Sequence, residues 1–166
     1  YTERISFQDI WTHASKLKHV GCRVAAITDR NSVDGIHMAE YEFMRRGIQP
    51  IYGVTLSCID VDDRYDVVLL AANLTGRDNI FRLIELLENN RFSFGHAITR
   101  EQLDAHRKGI LLGAAAKNGQ IVRAILHRRD QRYLETITQD YDYLEFTSEP
   151  YDIAATVVQL AAQGNL

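Results

Sequence analysis

The chain is poor in several things that would have assigned it quickly. No run approaches the ~18 consecutive apolar residues of a membrane span, and no charged-then-apolar leader opens it, so a cytoplasmic protein without membrane contact is expected. Cysteine is scarce: Cys22 and Cys58 form no CxxC pair or other zinc spacing, which argues against a zinc ribbon and a disulfide scaffold and favours reduced thiols. Positive charge is not in excess. A formal charge of -3 supplies no overall attraction for a phosphate backbone, so nucleic-acid contact would need a local basic patch. Neither GxGxxG nor GxxxxGK[ST] occurs in the loop DRNSVDG after the first predicted strand, and this weakens a nucleotide-binding open sheet. No serine or cysteine sits in a strand-to-helix elbow beside a candidate base, so nucleophilic catalysis has no support.

What is present is one domain's worth of patterned sequence: 166 residues, 46% apolar and 25% charged. The segments VAAIT and PIYGVT bracket one helical segment, and strands joined by a crossover helix must pair in parallel. Asp29 and Thr55 then share the rim at the carboxyl ends of the strands, where parallel α/β folds carry their chemistry. The remaining periodicity predicts strands over 66–72, 109–113 and 143–146, with helices behind Ser6–Asp9, over 36–46 and 77–89, after Thr99, from Asn118 to His127, over 131–138 and from Pro150 onward. Asp60 to Arg64 is predicted as a short acidic turn. Repeated βα units point to an incomplete or distorted barrel, because closing one usually takes about 250 residues. The absent initiator methionine and the stop at Gly164-Asn165-Leu166, after an apolar helix, suggest one domain fragment over 1–166 that lacks its N-terminal start and its C-terminal strands.

At this point the segments themselves matter. AAITDRNSVDGIHMAEYEFMRRGIQPIYGVTLSC, VVLLAANLTGRDNIFRLIELLENN, KGILLGAAAKNGQIVRAIL and YDYLEF occur in an order and spacing that resemble the polymerase and histidinol phosphatase (PHP) domain at the front of the bacterial replicative DNA polymerase III alpha subunit. The resemblance covers nearly the whole chain. It implies an α/β fold of (βα)7, TIM-like barrel type, here incomplete, whose active relatives bind up to three divalent metal ions at the strand ends. Position by position, Asp29 matches a metal-binding Asp, Arg30 stands where the active pattern has His, Thr55 takes the place of a Glu, and Ala116 that of a later Cys or His. Tyr1-Thr2 resembles the pair that follows an HxH motif, which would lie before the first residue; a late DxH would lie beyond Leu166.

Threonine offers only a neutral hydroxyl, alanine nothing, and arginine never deprotonates and repels an incoming cation. Asp29 is therefore read as a partner for Arg30 or a loop-capping residue, with no catalytic residue and no cofactor in the fragment. The function implied is a non-catalytic PHP domain with a degenerate metal site, docking within a replicative polymerase against the rest of that chain, replisome proteins such as a proofreading exonuclease and, through the parent protein, DNA. The alternative is an active metal-dependent phosphoesterase or 3′-5′ exonuclease of the same superfamily, carrying divalent metals.

Other candidates have bland explanations. His13, His19, His37, His96, His106 and His127 fall on helices or loops rather than strand ends. Arg123, Arg128, Arg129 and Arg132, with His127 among them, form a basic cluster able to meet phosphate, against which stands a solvated helix junction balanced by Asp130 and Glu135. Phe92 and Phe94 beside Arg91 suit either base stacking or, as the preferred reading, a loop anchored on the core. Glu145 and Glu149 flank a strand end and are weak evidence for acid–base work.

Overall fold

The computed structural model describes residues 9–61, 63–147, 151–164 and 166. Helix α1 (Ile10–His19) leads into β1 (Val24–Ile27), and α2 (Ile36–Met44) returns the chain to β2 (Gln49–Asp60). The two strands pair in parallel, Val24 opposite Gln49 and Ile27 opposite Tyr52, as the crossover predicts. Asp9 caps α1 through its side chain, while Ser6 lies outside the described residues.

Beyond this first unit the simple βα alternation fails. The chain turns straight back at Val61 into β3 (Asp63–Ala71), forming a long antiparallel hairpin from Gly53 opposite Leu70 to Asp60 opposite Asp63. The predicted acidic turn is the tip of that hairpin, and Asp62 within it lies outside the described residues. The physical reason is length: a parallel return needs about a dozen connecting residues, and these few permit only an antiparallel one. After α3 (Leu74–Asn89), the short β4 (Ile98–Thr99) joins the edge of β2 that β1 occupies further back, pairing with Cys58 and Ile59. Helix α4 (Arg100–Ala105) leads to β5 (Ile110–Ala114), antiparallel to β3, and α5 (Gln120–Leu126) and α6 (Gln131–Thr138) precede β6 (Tyr143–Leu144), parallel to β5. Helix α7 (Tyr151–Gly164) ends the fold; Glu149 and Pro150, expected to begin it, lie outside the described residues. The result is a six-stranded mixed sheet curved into a half-barrel.

Alternation divides the sheet into two faces. Val54, Leu56 and Cys58 of β2, Tyr65, Val67 and Leu69 of β3, and Leu112 and Ala114 of β5 are buried in one apolar cluster with Ile80, Leu83 and Leu87 of α3, Ile121 of α5, Leu134 of α6 and Leu160 of α7. Gly53, Thr55, Ser57, Asp66, Val68 and Gly113 take the opposite, concave face. A Cβ on Gly113 would lie 2.2 Å from the Tyr143 ring, so glycine there lets the aromatic ring lie flat against the sheet.

Local signals explain most helix starts. Asn73 caps α3 through its side chain, and Thr99 with Gln102 forms a reciprocal capping box on α4. Two local expectations are corrected. Gly119, not Asn118, is the N-cap of α5; Asn118 adopts a left-handed φ of 56° and turns its carbonyl to the Asp66 N–H at 2.9 Å. Nor is the 91–95 loop anchored by both its aromatics, since Phe92 is 98% exposed.

Candidate functional site

The rim is built by the loop after β1 running on along β2. The Thr55 N–H donates to the Asp29 carbonyl at 3.0 Å and the Asn31 N–H to the Thr55 carbonyl at 2.8 Å, so Asp29, Arg30 and Thr55 sit together as the crossover predicts. The Thr55 hydroxyl is spent on the Thr28 carbonyl, to which it donates at 3.0 Å. Asn31, at a left-handed φ of 53°, returns its side-chain oxygen to accept the Ser57 N–H at 3.1 Å.

The ion pair described for Arg30 corrects the partner expected from the sequence. Its guanidinium runs to Asp66 on β3, at 2.9 Å, and also donates to the Ser57 hydroxyl at 3.1 Å. Ser57 in turn donates to the same Asp66 oxygen at 3.0 Å. Asp66 and Ser57 are both buried, so a carboxylate on β3, a hydroxyl on β2 and a cation from the β1 loop close a triangle across three strands. Asp29 is exposed, and its Oδ2 lies 2.6 Å from where a Cβ on Gly35 would stand. Glycine at the N-cap of α2 thus admits the carboxylate beside the positive end of that helix, a charge–dipole placement without a capping hydrogen bond.

Ala116 follows β5 on the same rim. Burial pushes the nearby Glu145 carboxyl above its ordinary range, and a hydrogen bond from the Ala116 N–H offsets part of the rise. Among the described residues, no group of three or more His, Cys, Asp or Glu converges as a metal-holding set. Asp29, Arg30, Thr55 and Ala116 bring to the rim one carboxylate, a fixed cation, a committed hydroxyl and a methyl group.

Sequence reasoning missed Ser57 and Asp66. Alternation from Thr55 would have brought Ser57 to the concave face; Asp66 joins only once the hairpin register is known. Arg123 pairs with Asp63 at 2.8 Å, Arg129 lies over the Tyr133 ring at 5.5 Å, and Arg128 and Arg132 are exposed. No described helix is long and apolar enough to cross a membrane.

Comparison with known proteins agrees with this architecture. Solved structures similar in fold include a protein from Bifidobacterium adolescentis assigned as a metal-dependent phosphoesterase (TM-score 0.56, 13% identity, 96% of this chain and 79% of that one). An amidohydrolase from Chromobacterium violaceum, with bound sulfate and no metal, gives a TM-score of 0.57 at 14% identity over 95% of this chain and 78% of its own. In sequence, the PolC-type DNA polymerase III of Bacillus subtilis is 36% identical over 81 residues, and that of Clostridium perfringens 30% identical over 92. These matches take in 49% and 54% of this chain but 6% of each polymerase. The PHP domain model matches residues 6–149, from α1 through the rim and the hairpin to β6, and on that extent the chain belongs to the PHP domain family.

Proposed function

We propose that this chain is the PHP domain of a replicative DNA polymerase III alpha subunit in which the metal site has degenerated and the domain serves as a brace and docking surface. The observation that carries the reading is the Arg30–Asp66–Ser57 triangle. Where the resemblance implies a metal ligand, this chain has a permanent cation, held by a buried carboxylate and tying three strands together. A guanidinium so placed cross-links the rim as a metal would, and it neither exchanges nor activates water. The PolC-type relatives support the polymerase assignment. Under it, the partners are the remainder of the polymerase chain, replisome proteins such as a proofreading exonuclease, and DNA through the parent protein, with the chain in the cytoplasm.

A docking role has its own support on the outer helical layer. Trp11, Met38, Tyr41 and Met44 of α1 and α2 are each more than half exposed, with Arg45 over Tyr41 and Arg46 over Trp11. Aromatic residues, methionine and arginine are the side chains enriched at protein interfaces. The test is metal analysis of the purified chain together with phosphomonoester and single-strand hydrolysis assays, with and without chelator. Substoichiometric metal and no chelator-sensitive turnover are expected. Stoichiometric zinc, manganese or iron with chelator-sensitive hydrolysis would overturn the reading in favour of the active phosphoesterase or exonuclease.

A further inference from the structure

Away from the rim, the hairpin tip and the α5–α6 junction enclose an open cleft of about 710 Å³, within the size range of small-ligand sites. One wall is acidic, formed by Asp60 and Asp63. The other carries Arg123, His127, Arg129 and Tyr133. Asp60 and Asp63 are opposed residues of the hairpin and alternate onto the helical side, whereas Ser57 and Asp66 face the concave side, so the hairpin itself separates this cleft from the rim.

Two features point to a ligand. Arg129 stacks on Tyr133 and has no carboxylate within ion-pair distance among the described residues, so its guanidinium plane is held ready while its charge is unmatched. The backbone that aims it is strained: Arg128 occupies the left-handed position after α5, at φ 52°, where helices ordinarily place glycine. The Arg128 and Arg129 N–H groups close the helix end on the Ile125 and Ala124 carbonyls.

An acidic wall facing a basic one selects against a bare anion and against a simple cation. It suits a molecule with an anionic end and, several ångströms away, neutral hydrogen-bond donors. We infer that this cleft binds a nucleoside phosphate: the phosphate against Arg129 and His127, the sugar hydroxyls or base amino group against Asp60, beside the Arg123–Asp63 ion pair that joins the two walls at 2.8 Å. The Tyr133 ring beneath the Arg129 guanidinium holds its plane for paired contact with phosphate oxygens. A free mononucleotide and a nucleotide within a single strand share this chemistry. The inference is independent of whether the rim holds metal.

The test is titration of the isotope-labelled full chain at low salt with adenosine 5′-monophosphate, a short oligothymidylate and inorganic phosphate, following backbone amide shifts. Shifts confined to residues around Val61, Ala124 and Tyr133 are expected with at least one of the two nucleotide probes and not with inorganic phosphate at equal concentration; which probe responds identifies the source. Arg129→Ala should weaken that binding about tenfold or more, the worth of one charge-assisted contact, while Arg132→Ala, outside the cleft, should change it less than about twofold. Asp60→Asn provides a second variant that keeps the hairpin and should weaken the same titration. Absence of shifts with both nucleotide probes, equal response to inorganic phosphate, or equal loss in Arg129→Ala and Arg132→Ala would overturn the inference.

Discussion

Arg30→Met tests the triangle most directly, because methionine keeps the aliphatic stem and removes only the guanidinium. The Asp66 side chain is 6% exposed, so on losing its 2.9 Å partner it keeps a single described side-chain donor, the Ser57 hydroxyl. Removing one member of a fully buried pair costs about 3–5 kcal/mol, whereas exposed pairs are worth about 0–1 kcal/mol. Arg30 is 37% exposed, which screens the pair and puts the expected loss between these limits, at about 2 kcal/mol. At a urea slope of ~2 kcal/mol/M, that is a fall of about 1 M in the unfolding midpoint.

The measurement is a double-mutant cycle of Arg30→Met and Asp66→Asn followed by urea unfolding. The two residues touch, so their effects should not add: a coupling of ~1 kcal/mol or more is expected, with the double variant less damaged than the sum of the singles. A midpoint change under about 0.25 M for Arg30→Met, or additive single effects, would reduce the triangle to a surface contact and remove its role as a brace.

Two further outcomes follow from burial. Cys58 is fully buried and burial raises its thiol to about 11, partly countered by Tyr65, whereas Cys22 is half-buried and donates only to the Val24 carbonyl; a thiol reagent at neutral pH should titrate Cys22 in the native protein and reach Cys58 only in denaturant. Glu145 has a folded-state pKa raised above its ordinary value of 4.5, so the folded state favours the protonated form and stability is lost as pH rises through the folded pKa; Glu145→Gln should unfold at higher urea than the parent at neutral pH, with the gap closing below pH 4.5.

The parts of the fold legible in the sequence were those fixed by contacts a few residues apart. The parallel pairing of β1 and β2 follows from one crossover helix, α3 from the apolar stripe of Ile80, Leu83, Ile84 and Leu87, and α4 from a capping box. The hairpin was misread because period-two alternation looks the same in parallel and antiparallel strands; the loop length carried the only discriminating signal. That one error hid the Arg30 partner. Asp29 is adjacent in sequence and invites pairing, but Asp66 is 36 residues away and reaches Arg30 only because the hairpin sets Ser57 opposite Asp66. The rim residues taken from the family resemblance carried identity without geometry, so the sequence told which positions form the rim and not what their side chains do.

What they do can be separated from mere decay by restoring one of them. Arg30→His returns the residue type that the resemblance places at this position, and a rim short of a single ligand should regain metal affinity. The geometry argues for the opposite result. Imidazole is shorter than the arginine stem and largely neutral at neutral pH, so Asp66 loses its fixed cation. The Thr55 hydroxyl stays committed to the Thr28 carbonyl, and Ala116 contributes no ligand atom. Arg30→His should therefore have a lower Tm than the parent, unchanged by added zinc or manganese. A Tm raised by either metal in the variant, and not in the parent, would mean that the rim retains a latent site and that Arg30 blocks it rather than replacing it.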